Sequence, residues 1–168
     1  THVDETGSTN ADALIAARSR GAAQYWFSAG RQLSGKGRQG RAWVSEPGNL
    51  YASALLIDPA DAARISTLPF VAALALHAAL SGIDGMGRHE LRLKWPNDLL
   101  VNGSKVSGIL LETDHLANGS TAVAIGFGVN LAHHPDPALY AATDLKTLGM
   151  DIAPLMMLER LAAELDAV

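Results

Sequence analysis

The alternation of apolar and polar residues changes period several times along this chain, and each change marks an element. Leu50 to Ile57 is apolar at nearly every position, as a strand buried on both faces would be. Tyr25-Trp26-Phe27, Leu91 to Trp95, Leu99 to Val101, Lys105 to Glu112 and Thr121 to Asn130 read as further strands, and Asn102-Gly103 is a two-residue hairpin signal between two of them. Ser8-Thr9-Asn10 offer N-caps to a helix over Ala11 to Arg20, which Gly21 ends. Ala62 to Leu80 carries Ile65, Leu68, Val71, Ala72, Ala75, Leu76 and Ala79 at helical spacing, with a local kink expected at Pro69. Pro154 to Leu165 closes as a helix, and Arg31 to Gly48 is a long glycine-rich loop of the kind that usually carries function. Consecutive strands with hairpin links and helices grouped elsewhere predict an α+β fold, a mixed or antiparallel sheet covered by helices.

The chain has 168 residues, 48% of them hydrophobic and 18% charged, which suits one domain over residues 1–168 with a single core. A formal charge of -4 argues against a polyanion as the main partner, so DNA is not expected and any phosphate site must be local. The absence of cysteine excludes disulfides, thiolate nucleophiles and cysteine-ligated metals. No basic-then-apolar leader and no stretch of roughly 20 apolar residues is present, so no membrane association is expected and a cytoplasmic location is the default. A first residue other than Met and a last one inside a helical pattern raise the expectation of a piece trimmed from a longer protein.

The informative segment runs from Gly30 to Arg41 and nearly matches two phosphate motifs. Gly35-x-Gly37-x-x-Gly40 has dinucleotide-fingerprint spacing, and Asp58 lies 18 residues beyond Gly40, but Arg41-Ala-Trp43-Val-Ser-Glu-Pro47-Gly48 does not open a helix that could hold a pyrophosphate. Gly30-x4-Gly35-Lys36 copies the start of a Walker loop, but Gly37 stands where the Mg²⁺-binding hydroxyl belongs. What remains is a loop whose amides and cations, Arg31, Lys36, Arg38 and Arg41, can close over an anion; the plain alternative is a solvated basic loop. Lys94-Trp95-Pro96-Asn97-Asp98 is either a simple turn or a ligand-binding strand end, and Gly126-x-Gly128-x-Asn130 is either a bulge or a close approach for a ligand. His133 and His134 lack a third ligand signature and read as surface residues, so no protein metal cage is expected.

Six segments in order carry a family resemblance: Glu5-Thr-Gly-Ser8-Thr9-Asn10; Gln32-x-x-Gly35-Lys36-Gly37-Arg38-x-Gly40-Arg41-x-Trp43; Gly48-Asn49-Leu50-Tyr51; Leu93-Lys94-Trp95-Pro96-Asn97-Asp98; Lys105-x-x-Gly108-Ile109-Leu110; and Gly126-x-Gly128-x-Asn130. Together they resemble the catalytic domain of bacterial biotin protein ligases. The resemblance implies a core similar to class II aminoacyl-tRNA synthetases, with biotin and ATP as substrates, Mg²⁺ as helper and a biotin carboxyl carrier protein as acceptor. It implies that Ser8, Thr9, Asn10, Gln32 and Gly108 line the biotin pocket and that Lys36, Gly37 and Arg38 close over it. Lys94 and Arg38 would stand at the reacting centre, and Gly35, Arg41, Trp43, Asn97 and Asn130 would serve the nucleotide.

The implied chemistry is attack of the biotin carboxylate on the α-phosphorus of ATP, followed by attack of a carrier lysine on biotinyl-AMP. Preorganised positive charge would supply most of the catalysis, and Lys94→Ala would cost about 10²- to 10³-fold. Lys36 replaces the first arginine of the family's usual Gly-Arg-Gly-Arg, which removes a bidentate fork. Neither the helix-turn-helix of repressor-type members nor a small C-terminal β-domain is expected within this chain, and a homodimer through the sheet edge stays open. A lipoate- or octanoate-type ligase of related fold stands second, since it should lack the Gly35 to Gly40 loop beside Gln32. A module that holds biotin without turnover is the non-enzyme alternative.

Overall fold

The computed structural model describes residues 1–20, 25–59, 61, 64–136 and 140–167. The helix stop at Gly21 and the helix start at Ala62 lie outside the described residues. In chain order the elements are β1 (His2–Thr6), α1 (Thr9–Arg20), β2 (Tyr25–Gln32), β3 (Leu50–Ile57), α2 (Leu68–Ser81), β4 (Leu91–Lys94), β5 (Asp98–Val101), β6 (Ser104–His115), β7 (Thr121–Val129) and α3 (Pro154–Ala167). The strands form one seven-stranded sheet in the order β1-β2-β3-β7-β6-β5-β4, with β1 parallel to β2 and every other pair antiparallel. This is the mixed sheet that the sequence predicts.

Strand alternation sends successive side chains to opposite faces, and the two faces carry different cargo. Leu50, Ala52 and Ala54 of β3 join Val123, Ile125, Phe127 and Val129 of β7 in the main core, with α2 and α3 packed on them. Leu76 and Leu80 of α2 are fully buried there, each worth about 1.5–3 kcal/mol of transfer free energy. The opposite face carries Leu55, Ala122 and Ala124, against which α1 lays Ala13, Ala16 and Ala17. Small residues on both partners let α1 lie close to the sheet. Beyond the N-terminus of α1 the same face continues as Gly126 and Gly128 of β7 beside Gly108 of β6, and there the site lies.

Three elements depart from expectation. β1 was not anticipated: its residues are mostly exposed and show no apolar alternation, so backbone pairing to β2 is what holds it. β2 extends from the expected Phe27 to Gln32 through residues of small or polar side chain. Pro69 does not kink a helix; it occupies the first turn of α2, where a missing N–H costs no hydrogen bond, and Ile65–Thr67 forms a separate 3-10 turn before it. At the Asn102-Gly103 hairpin both residues adopt positive φ, 50° and 82°, as a tight turn between β5 and β6 requires.

Candidate active site

A cavity of about 570 Å³ opens on the α1 face of the sheet. Its floor exists because three strand positions lack a side chain. A Cβ on Gly126 would lie 2.6 Å from Asn10 Oδ1, one on Gly128 2.5 Å from Trp43 Cε2, and one on Gly108 3.0 Å from Trp43 Cζ3. The glycines thus admit one amide and one indole ring directly onto the backbone.

The inner wall is a hydrogen-bonded network of uncharged side chains, backed by the Glu112 carboxylate. Gln32 Oε1 accepts from the Thr9 backbone N–H at 3.0 Å and from the Thr9 hydroxyl at 3.2 Å, while Gln32 Nε2 donates to Ser45 Oγ at 3.2 Å. The Ser53 hydroxyl, fully buried, lies 2.7 Å from Thr9 Oγ1 and donates to Asn10 Oδ1 at 2.6 Å. Asn10 Nδ2 donates to Leu110 O and to Glu112 Oε2. Thr9 and Asn10 therefore spend their side chains across the sheet and not on capping α1, and a strand glutamine caps the helix in their place. Ser8 lines the same wall, half-buried.

Over the cavity folds a flap. Gly37 N–H donates to Arg41 O, Trp43 N–H donates to Gly35 O, and Lys36 bridges to Ala42, so the expected open loop is a small hairpin. Its turn needs positive φ at Gln39 (58°) and Gly40 (70°). Lys36, Arg38 and Arg41 stand exposed on the flap, and Lys94 is exposed at the opposite rim. Among the described residues, Lys36, Arg38 and Lys94 have no ion-pair partner. A ligand anion would meet uncompensated charge.

The most enclosed cation among the described residues is Lys105, which opens one of the six resemblance segments but was given no role there. Its Nζ lies 2.7 Å from Asp98 Oδ1, with the two side chains 17% and 21% exposed, and stands 5.2 Å from the centre of the Trp43 ring and 5.4 Å from that of Tyr140. The stem lies back over Gly108, which leaves it room. Trp43 Nε1 is buried with no hydrogen-bond partner among the described residues, a donor whose desolvation only a ligand or water would offset. Ser53 and Tyr140 were missed, and Asp98, named in the Leu93 to Asp98 segment, was given no role.

Of the expected site residues, Ser8, Thr9, Asn10, Gln32, Lys36, Gly37, Arg38, Arg41, Trp43, Lys94, Asn97 and Gly108 all line this one cavity. Asn97 also ties the rim to β6, donating from Nδ2 to Ile109 O at 2.8 Å. Two residues sit elsewhere. Gly35 is buried behind the wall, against Trp43 O and Ser45. Asn130 is 3% exposed with its amide donated to Thr143 O, and it borders a separate hollow of about 60 Å³ beside Trp43 and Lys105.

The outer wall is held by a pair on the segment after β7. His134 Nδ1 lies 2.5 Å from Asp144 Oδ2, and Asp144 Oδ1 accepts from Thr147 N–H at 2.6 Å. Burial pushes the Asp144 carboxyl up, but the Thr147 amide and His134 outweigh it, so the group titrates below its ordinary range. A depressed folded value gives stability that is present above the unfolded pKa of about 3.9 and is lost as pH falls below it. Asp144→Asn is therefore expected to flatten the acid limb of a thermal-midpoint profile below about pH 4, leaving its slope above pH 5 unchanged. Among the described residues no group of three or more metal-ligating side chains is found, and His133 and His134 part company, the first exchanging two backbone hydrogen bonds with the Asn49 amide and the second pairing with Asp144.

Comparison with known proteins bears on the family and the fold. A family model described as the biotin/lipoate A/B protein ligase family matches residues 20–130, from the end of α1 to Asn130. A biotin–[acetyl-CoA-carboxylase] ligase of Paracoccus denitrificans is 48% identical over 132 residues, covering 78% of this chain and 54% of that protein. The chain thus spans about half the length of that relative. The biotin protein ligase of Aquifex aeolicus in complex with biotin and ATP superposes with a TM-score of 0.72 at 31% identity, covering 99% of this chain and 69% of the other. The Leishmania major biotin protein ligase in complex with biotinyl-5-AMP superposes with a TM-score of 0.84 at 24% identity, covering 98% and 72%, a likeness of fold. The fold is the one related to class II aminoacyl-tRNA synthetase cores. By the matched sequence and the shared architecture, the chain belongs to the biotin/lipoate A/B protein ligase family.

Proposed function

We propose that residues 1–168 form the catalytic domain of an ATP-dependent biotin–protein ligase. The observation that carries this is the polarity of the cavity: a neutral, prepaired network of Thr9, Asn10, Gln32 and Ser53 at one end and Lys105, Lys94, Lys36 and Arg38 around the other. Biotin has that polarity, an uncharged ureido ring at one end and a carboxylate at the other. Ser8, Thr9, Asn10 and Gln32 supply hydroxyl and amide partners for the ring, and Gly108 gives it backbone to lie on.

The reaction brings a carboxylate onto a polyanionic triphosphate, so positioning and fixed positive charge supply most of the rate. A biotin carboxylate oxygen attacks the α-phosphorus, the bond to the bridging oxygen breaks, and pyrophosphate leaves. The lysine amine of a biotin carboxyl carrier protein then attacks the acyl carbon of biotinyl-AMP, losing a proton as AMP departs. Lys105 and Arg38 hold the anionic oxygens, Lys94 adds charge at the rim, and the flap from Lys36 to Ala42 keeps water from the mixed anhydride. The purine lies toward Trp43, Arg41 and Asn97, with Gly35 and Asn130 supporting that wall from behind. Asp98 and Asp136 are carboxylates on the cavity wall, in keeping with the one or two that Mg²⁺ takes from a protein when phosphates supply the rest. Bound there, Mg²⁺ would neutralise the departing pyrophosphate. The reading goes with a cytoplasmic location, where ATP and the carrier protein are met.

Titration calorimetry of the chain with biotin, with and without ATP and Mg²⁺, tests this. Biotin is expected to bind, heat of turnover to appear only with ATP and Mg²⁺ present, and Arg38→Ala and Lys94→Ala each to weaken both. A folded chain that binds no biotin would overturn the pocket and favour a lipoate-type acyl ligase.

A further inference from the structure

Lys105 has a long, flexible stem, and its ion pair with Asp98 holds the ammonium only until an anionic ligand competes for it. Ring faces do not compete in that way, because a cation can rest on an aromatic face and still present its N–H groups to an anion. Trp43 and Tyr140 offer such faces, at 5.2 and 5.4 Å.

The position of Tyr140 is set by the backbone of Lys105 itself. Lys105 N–H donates to Ala141 O at 2.8 Å, and Thr143 N–H donates back to Lys105 O at 2.9 Å, so residues 141–143 run parallel to β6 as a strap. Asn130 fastens the strap by donating from Nδ2 to Thr143 O and accepting at its own O from Leu145 N–H, and His134 fastens it through Asp144. Tyr140 immediately precedes this strap, which carries its ring over the side chain of the residue to which the strap is bonded. Its hydroxyl makes no hydrogen bond with the described residues, so the ring is the part in use. Asn130 then acts through the strap and not by facing the ligand.

We propose that Tyr140 is a positioning residue, clamping the Lys105 ammonium against Trp43 so that it stays aimed at the reacting anions once Asp98 is displaced. The inference rests on Lys105 standing at the reacting centre, as proposed above. The first measurement does not depend on turnover: acetic anhydride labelling of the ligand-free chain, followed by peptide mass spectrometry, with exposed Lys146 as the internal reference. Tyr140→Leu is expected to raise labelling of Lys105 relative to Lys146 by about fivefold, and Tyr140→Phe to return it to within about twofold of the unaltered chain.

In biotin-dependent ATP–pyrophosphate exchange, Tyr140→Leu is expected to lower kcat about tenfold with KM for biotin changed less than about twofold, and Tyr140→Phe to recover most of the loss. Unchanged labelling in Tyr140→Leu overturns the clamp, as does a loss in Tyr140→Phe equal to that in Tyr140→Leu. If labelling responds as expected while Lys105→Met exchanges pyrophosphate at the unaltered rate, the clamp stands and the assignment of Lys105 to the reacting centre falls.

Discussion

Lys105→Met is expected to lower biotin-dependent ATP–pyrophosphate exchange by about 10²- to 10³-fold, the usual cost of losing one preorganised electrostatic donor. Methionine keeps most of the stem's volume over Gly108, so the packing changes little and the charge is what goes. The same substitution strands Asp98, whose side chain is only 21% exposed and whose ion-pair partner is Lys105. Breaking one side of such a pair destabilises the fold as well. Adding Asp98→Asn removes the stranded charge and is expected to restore the thermal midpoint without restoring the rate, which separates the two consequences. Lys94→Ala is the internal comparison. Lys94 is exposed at the rim, where water and salt screen its field, so the structure lowers its expected effect to about tenfold, below the sequence-based expectation. If steady-state kinetics instead find Lys94→Ala the more damaging, the two lysines exchange roles in the scheme.

That comparison shows what the sequence could and could not carry. Sequence pattern locates β3 at its observed bounds from a continuous apolar run, and finds α1, from N-capping residues before a run of helix formers, and α3 within a few residues. It cannot find β1, whose pattern of exposed residues gives no sign of a strand held by backbone pairing along the sheet edge. In the site, the distinctive residue clusters mark Thr9, Asn10 and Gln32, but nothing local marks Ser53. It sits in the middle of an apolar run, 43 residues beyond Asn10, and becomes the joint of the network only when β3 passes beneath the start of α1. Lys105 is marked only as the start of a motif with no role of its own, and becomes the most enclosed cation among the described residues through Asp98, Trp43 and Tyr140, which reach it from three different segments. Gly35 and Asn130 show the reverse. Both lie in segments that form the site, but the direction each residue faces is decided by the folded backbone and not by spacing.

Gly128→Ala is the second large effect expected, and it tests the floor of the cavity rather than its charge. The added Cβ would stand 2.5 Å from Trp43 Cε2 and 2.7 Å from both Cζ2 and Nε1, so the ring must retreat by about 1 Å to reach ordinary contact. Its retreat is restricted, because the same indole also lies over Gly108, at 3.0 Å from the position a Cβ would take there. Trp43 N–H holds the base of the flap through Gly35 O, and the Trp43 ring forms one side of the Lys105 clamp. Displacing the ring therefore disturbs flap and lysine together, and a loss of about 10²-fold in adenylate formation is expected, against an overpacking cost of about 1–3 kcal/mol in stability. Gly87→Ala is the matched control: no atom lies within 4 Å of its Cβ position, and it should leave rate and thermal midpoint near their starting values. Gly128→Ala combined with Trp43→Ala should be no less stable than Trp43→Ala alone, since the clash disappears with the ring. Should Gly128→Ala keep full activity, Trp43 would have to find a second resting place that preserves the flap and the clamp at once, and its close seat on the glycines would then serve packing and not chemistry.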